Sequence, residues 1–504
     1  GPLAKSNRIT CPNCSSVNKY PQPAAGPPAH RLFAIEYFCP SCKAGHQGRF
    51  FKAPGAADLA KTAEAERRLA SLPHGFIPPD EIPAGDETTR LHRWGYRRYK
   101  EMFNARQLLG LELSCQAISQ VKDERTRNAL ATNLSDLLRY QNMLCRYDAK
   151  VLKSLDIFSV HGFPVGLIQC ESNLLGIADA KGTPVGSGGW ENVISKFTKA
   201  KSYCDRPFEI RWERSQKCVV YIDGEWIGDV HNGNDRYPRR AVQLRCEDSA
   251  SAEVAPASLD AVLTDPPYFG NVQYAELMDF CYVWLRTLIN GSESAFSKKT
   301  TRDQQELTGN ATLERGLEDF AEGLSRVFCK MASALKPGRP LAFTYHHNNL
   351  EAYAPVALAI LDSGLSCTAA IPCPAEMSAS IHISGTKSSI VDTVFVCRGT
   401  STTTSTNYTL AALVRAVRRD LDELAEGGLN ASGGDTLCVI NGNLTKLAIA
   451  KLRKSWDKTR PVADRLRKTS KCLASLPDRG DVLGVLNNKA ESRRASEPSG
   501  ISGD

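Results

Sequence analysis

No run of about 18 consecutive apolar residues occurs in the 504-residue sequence, so no α-helical membrane span is expected. A secretory leader is lacking too, although Gly1-Pro2-Leu3 has the look of a protease scar and would put the natural start further upstream. No disulfide framework is legible. The 17 cysteines are odd in number and scattered, which suits the reducing cytoplasm rather than an oxidising exterior. Nor does one sign of charge dominate. Lys and Arg number 63 against 55 Asp and Glu, a net +8, which permits a polyanionic partner without demanding one. What remains is ordinary globular composition, 42% hydrophobic and 23% charged, in a chain long enough for about two to four domains and a large core.

Among the cysteines one pattern stands out. Cys11-Pro12-Asn13-Cys14 and Cys39-Pro40-Ser41-Cys42 are two C-x-x-C knuckles with 24 residues between them. Paired knuckles supply four thiolates for a tetrahedral structural zinc site. A strand-like run at 32–38 precedes the second knuckle, so residues 8–52 read as a zinc ribbon with Cys11, Cys14, Cys39 and Cys42 on Zn2+. His46 is a weaker substitute ligand. A closed four-cysteine shell has no place for water, which makes the metal structural and not catalytic.

The chemistry gathers elsewhere, at Leu259-Asp260-Ala261-Val262-Leu263-Thr264-Asp265-Pro266-Pro267-Tyr268-Phe269. An apolar strand at 261–263 runs into two prolines that forbid any continuation of ladder or helix. Asp265 and Tyr268 are thereby left at the strand's carboxyl end, where open α/β sheets bind ligands. A carboxylate, the rigid carbonyl of Pro266 and an aromatic face suit a flat molecule bearing an amine. The lone pair of an amine conjugated to a base ring is delocalised, and two acceptors on its hydrogens favour the pyramidal, nucleophilic form. The plainer alternative is a strand-ending turn with a buried tyrosine.

Around this stretch the chain is organised as follows. Residues 53–87, rich in Pro, Ala and Gly with a short helical stretch at 59–72, read as a connector. Residues 88–155 read as a helical insert. Its opening, Arg93-Trp94-Gly95-Tyr96-Arg97-Arg98-Tyr99-Lys100, interleaves basic and aromatic residues as nucleic-acid grooves do. An amphipathic helix with buried rings and solvated arginines has the same pattern. Residues 156–240 read as an α+β insert available for target recognition: extended at 158–165, a glycine loop at 182–189 with no apolar strand leading into it, helical at 190–203, and a hairpin turning at Asp223-Gly224.

From 241 to 400 strands and helices alternate. A strand at 241–246 ends in Glu247-Asp248-Ser249, and the strand at 261–263 follows. Helices at 274–288 and 313–335 come next, then a strand at 341–345 that delivers His346 and His347, a helix at 353–361, and strands at 366–371 and 390–397. This is the second half of a doubly wound α/β sheet with an antiparallel end strand. Residues 401–490 read as a helical, basic region that suits either phosphates or a solvated face, and 491–504 as a disordered tail.

The Asp265-Pro266-Pro267-Tyr268 motif after an apolar strand resembles that of amino-group DNA methyltransferases. The longer stretch from Thr264 to Leu285 resembles the zinc-ribbon-containing adenine-specific DNA methylases, as do the two knuckles, the Phe103-Asn104-Ala105-Arg106-Gln107 core and residues 158–165. The resemblance spans most of residues 10–450. It implies a partial Rossmann-like methyltransferase sheet with an N-terminal zinc ribbon and a mixed helical/β insert. It also implies S-adenosylmethionine as methyl donor and double-stranded DNA as partner, acted on in the cytoplasm at a bacterial or archaeal nucleoid. By position, Asp265 and the Pro266-Pro267 turn would hold the target amine and Tyr268 would stack on the flipped base. Asp248, with Asp265, would contact the cofactor, and Phe269, Asn271 and Tyr274 would line the base pocket.

One family feature is missing. No strand ending in a Phe-x-Gly-x-Gly turn, followed by a strand with a ribose-binding acid, is found upstream of Asp248 or downstream of it. The expectation is a catalytic subunit methylating adenine N6, with a second protein subunit supplying the glycine-rich cofactor half, since a sheet short of its first strands exposes an edge. Cytosine N4 is the nearest alternative substrate. A DNA-binding subunit without catalysis is the alternative of another class.

Overall fold

The computed structural model describes residues 8–11, 13–19, 26–42, 48–179, 181–213, 216–222, 241–270, 272–289, 294–375, 389–399 and 409–496. The chain divides into two compact units. One comprises 1–209, 220–243 and 273–304; the other comprises 210–219, 244–272 and 305–504.

The first unit opens with two antiparallel hairpins, β1 (Arg8–Thr10) with β2 (Val17–Lys19) and β3 (Ile35–Phe38) with β4 (Arg49–Lys52). Helices α1 (Ala56–Ser71), α2 (Thr88–Arg93), α3 (Ala105–Ser119) and α4 (Glu124–Leu138) follow, then a short hairpin of β5 (Arg146–Asp148) and β6 (Lys153–Leu155), and α5 (Trp190–Asp205). β7 (Phe208–Glu213) pairs with β8 (Gln216–Tyr221), a hairpin whose residues 210–219 count with the second unit, so the strand expected to turn at Asp223-Gly224 already has a neighbour on its N-terminal side. The turn itself lies outside the described residues.

Phe103-Asn104-Ala105-Arg106-Gln107 is a helix start. Asn104 Oδ1 accepts the Gln107 N–H at 2.9 Å and Gln107 Oε1 accepts the Asn104 N–H at 3.1 Å, a reciprocal cap on α3. Phe103 meets two rings of α6 (Tyr274–Ile289), Phe280 at 5.6 Å and Trp284 at 5.4 Å. The basic and aromatic residues before it separate by face: Tyr96, Tyr99 and Met102 are buried while Arg93, Arg97 and Arg98 are exposed. Tyr96 and Tyr99 therefore belong to the core, as an amphipathic segment requires, while Trp94 is only half-buried. Buried carboxylates tie the loops down. Glu276 on α6 accepts the backbone N–H groups of Asp86, Glu87 and Thr88 at 2.9–3.1 Å, and Glu112 on α3 those of Gly75, Phe76 and Ile77 at 3.0 Å. The glycine loop serves packing. A Cβ on Gly188 would lie 2.5 Å from Tyr140 Cβ, and one on Gly189 would lie 2.4 Å from the Gly176 nitrogen.

The second unit is built on a four-stranded mixed sheet in the order β11-β12-β10-β9, with β9 (Val262–Thr264), β10 (Leu341–Tyr345), β11 (Ser366–Pro374) and β12 (Val391–Arg398). β9 and β10 are parallel, while β12 is antiparallel to β10 and β11. Helix α7 (Leu317–Ala334) precedes β10, α8 (Ala354–Asp362) follows it, and α9 (Leu410–Glu426), α10 (Gly433–Leu452), α11 (Val462–Ala474) and α12 (Arg479–Ser496) complete the unit. Along β10 and β12 alternate residues are buried: Leu341, Phe343 and Tyr345, then Val391, Thr393, Phe395 and Cys397. Phe328 of α7 meets Phe343 at 5.1 Å, and Phe343 stacks on Phe395 at 5.2 Å. The intervening Ala342, Thr344, Val394 and Val396 are only half-buried. The mixed α/β class and the antiparallel end strands agree with the sequence reading.

Three features differ from the sequence reading. Residues 241–246 are irregular, with Leu244 92% exposed; their alternation needs a neighbour to complete a ladder, and the outer edge of β9 has none among the described residues. Helix α12 runs to Ser496, into the segment expected to be disordered. The basic region is partly internal: Arg453 donates to the carbonyls of Leu361 and Leu365, and buried Arg465 pairs with Asp362 and with Glu322. Asp362 also accepts from Ser325 Oγ at 2.6 Å and Trp456 Nε1 at 2.9 Å. No described helix is long and apolar enough to cross a membrane.

Candidate functional site

The parallel register of β9 and β10 builds the site. Val262, Leu263 and Thr264 lie opposite Leu341, Ala342 and Phe343, so the next step brings Asp265 beside Thr344. The Thr344 hydroxyl donates to Asp265 Oδ1 at 2.5 Å. Asp265 is exposed, Pro266 is buried and Pro267 is half-buried, as expected where a rigid turn ends a strand. Tyr268 is half-buried and meets the ring of Tyr345 edge to face, with centroids 5.1 Å apart at 72°. Tyr345 is itself anchored by its hydroxyl, which donates to the Ala352 carbonyl at 3.0 Å, and by the ring of Tyr353 at 5.2 Å.

Two histidines follow on the same strand end. Burial, reinforced by His347, pushes His346 down to about 4, and its Nδ1 is buried without a hydrogen-bond partner. His346 is therefore a neutral imidazole at ordinary pH. His347 is also lowered by burial, and its Nδ1 accepts the Asn349 N–H at 3.0 Å.

Asp248 is half-buried and accepts the Ala250 N–H at 3.1 Å. It lines a cavity of about 210 Å³ with Ser251, Gln305, Leu307, Gly323 and Arg326. A carboxylate, a hydroxyl and an amide are donors and acceptors suited to a purine edge. The volume falls below the roughly 300–1,000 Å³ of complete ligand pockets. Helix α7 joins this cavity to the motif. Its Phe320 meets Phe269 at 5.5 Å, while Gly323 and Val327, on the same face at i+3 and i+7, line the cavity. Along the helix axis these two lining residues lie about 4.5 and 10.5 Å beyond Phe320.

The other base-pocket candidates are placed differently. Phe269 packs into the core against Phe320 and against Gly309, where a Cβ would lie 2.7 Å from its ring. Tyr274 is the first residue of α6, belongs to the first unit and is 41% exposed. Asn271 lies outside the described residues.

Each cysteine knuckle sits at the turn of a hairpin, Cys11 and Cys14 between β1 and β2, Cys39 and Cys42 between β3 and β4. The first is shaped by the Ser15 N–H donating to the Cys11 carbonyl at 2.9 Å, the second by the Cys39 N–H donating to the Gly48 carbonyl at 2.7 Å. Hydrogen bonds from Ser41 and then Cys42 pull the Cys39 thiol down to about 7. Each pair thus fits half of a tetrahedral thiolate site. Among the described residues no group of three or more His, Cys, Asp or Glu side chains converges on a common point, so the four sulfurs are not gathered here.

Sequence reasoning did not single out Thr344 or Tyr345. The available signal was the parallel register, which sets the end of β10 beside the Asp265 turn. Compared with known protein families, with curated proteins and with solved structures, the chain matches none.

Proposed function

We propose that this chain is the catalytic subunit of an S-adenosylmethionine-dependent DNA methyltransferase acting on the N6 amine of adenine in a base flipped out of the duplex. The observation that carries the reading is the pairing of an exposed carboxylate, Asp265, with a braced aromatic ring, Tyr268, at the carboxyl end of β9. Asp265 and the Pro266 carbonyl accept the two amine hydrogens and favour the pyramidal nitrogen of the transition state. Tyr268 holds the base by its ring, as flipped bases are held. S-adenosylmethionine, when bound, would supply the methyl group, the N–C bond forming as the S–C bond breaks, with the neutral thioether leaving and the surplus amine proton lost to solvent. Asp248 and its cavity hold the cofactor's adenine end.

The sheet in this reading is a partial Rossmann-like one. The outer edge of β9 has no partner strand among the described residues, and Leu263 on it is 77% exposed. Open apolar edges are sites of strand addition. This supports the second half of the proposal, that a partner subunit adds the missing strands and the glycine-rich cofactor turn. Each knuckle offers a thiolate pair, and the reading takes all four cysteines as ligands of one structural zinc ion once the two pairs, apart here, are brought together.

The test is transfer of a labelled methyl group to duplex DNA by the chain purified with its native partners, followed by identification of the modified nucleoside. N6-methyladenine supports the proposal. N4-methylcytosine keeps the mechanism and changes the base, because the same two acceptors serve either amine. DNA binding without any transfer overturns the catalytic reading.

A further inference from the structure

We infer that Thr344 is the positioning residue of Asp265, an inference that rests on the methyltransferase reading above. The two residues sit one register step beyond the last ladder pair, Thr264 with Phe343. The Thr344 hydroxyl reaches Asp265 Oδ1 at 2.5 Å, and among the described residues no other group donates to that carboxylate. Thr344 belongs to the half-buried face of β10, so it is neither locked into the core nor free in solvent.

An exposed aspartate at the end of a strand has two side-chain torsions to fix before it can accept a hydrogen bond in one direction. An acceptor that must meet a developing geometry has to be held within about 0.5 Å, and the holding groups must themselves be fixed. Threonine does this economically. Its β-branched side chain suits a strand and has restricted χ1 freedom. Its single proton occupies one carboxylate oxygen. The other oxygen, Oδ2, is left to face the amine, with the carboxylate plane set. The same contact also joins β9 to β10, and β9 has only three ladder pairs. A bond that merely fastens the strands would look the same in the free protein, so the test has to separate fastening from aiming.

The experiment compares wild type, Thr344→Val, Thr344→Ser and Asp265→Ala in the complex with native partners, by steady-state methyl transfer to duplex DNA and by thermal unfolding. Valine keeps the shape and the strand preference but lacks the hydroxyl; serine keeps the hydroxyl. The expected result is a fall in kcat of roughly 10- to 100-fold for Thr344→Val, the size of a small misplacement of a reacting group, with the KM for DNA and the Tm unchanged. Thr344→Ser should recover most of the rate. Wild-type kcat in Thr344→Val overturns the inference. So does a loss that tracks a fall in Tm and is not restored by serine, because that is fastening alone. If wild type itself transfers no methyl group, the methyltransferase reading fails and the role of Thr344 falls with it. If wild type is active, Asp265→Ala is dead and Thr344→Val is normal, only the inference fails.

Discussion

The ring of Tyr268 stands edge to face on that of Tyr345, centroids 5.1 Å apart, and Tyr345 stands in the same way on buried Tyr353. The aromatic residue of the motif is thus the outermost of three rings, braced from the core outward. Its contact with Tyr345 fixes its tilt.

That stack predicts a graded response at Tyr345. Tyr345→Phe leaves the Ala352 carbonyl without its donor and should cost about 1 kcal/mol of stability, with methyl transfer nearly intact. Tyr345→Leu removes the supporting ring, worth about 0.5–1.5 kcal/mol beyond its buried area, and should lower the transfer rate more than the phenylalanine variant does. Equal rates for the two variants would mean that Tyr268 does not depend on this brace.

Asp362 lies at the centre of a buried network with Ser325, Trp456 and Arg465. Asp362→Ala leaves buried Arg465 with Glu322 and the Arg460 carbonyl as its remaining partners, takes the acceptor from Ser325 and Trp456, and should destabilise the protein by about 3 kcal/mol. Chemical denaturation measures it. The double replacement of Asp362 and Arg465 by apolar residues should be less harmful than the single one.

His346 makes stability depend on pH in a defined window. Its folded value is lowered to about 4, against about 6.5 in an unfolded chain. Between these values the unfolded state carries a proton that the folded state refuses, so stability rises with pH there and is level above the window. The folded state loses on the order of 3 kcal/mol on acidification from about pH 7 to pH 4. His346→Gln should flatten this slope in denaturation curves taken across the range, and an unchanged slope would show that other groups set it.

Zinc binding predicts about one ion per purified chain. Cys39→Ser should lower the metal content, and replacing all four knuckle cysteines should abolish it, in each case by elemental analysis. Full zinc content in the four-cysteine variant would place the metal elsewhere.

Much of this was legible in the sequence because it is local. Pro266 and Pro267 end a strand wherever they occur, so the position of Asp265 followed from four letters, and the alternation from Leu341 to Tyr345 marked β10 with its buried face. The helix read at 313–335 showed its apolar period and its Pro337-Gly338 stop, and the structure starts it four residues later, at Leu317. What stayed hidden depends on partners distant in sequence. Val242 and Leu244 alternate as strand residues do, yet alternation does not say whether a neighbour is there to pair with. Arg465 reads as one more charge in a basic stretch, and only the fold reveals Asp362, 103 residues away, beside it. Thr344 was an unremarked strand residue until the parallel register set it against Asp265.

The central claim is that the Asp265 carboxylate holds the amine while it is methylated. Single-turnover methyl transfer by Asp265→Ala, in the native complex and with DNA affinity measured alongside, tests it most directly. The account predicts a rate reduced by roughly 10²- to 10³-fold or more, the loss expected for a preorganised transition-state hydrogen bond, with DNA binding and zinc content unchanged. Transfer at the wild-type rate would contradict it.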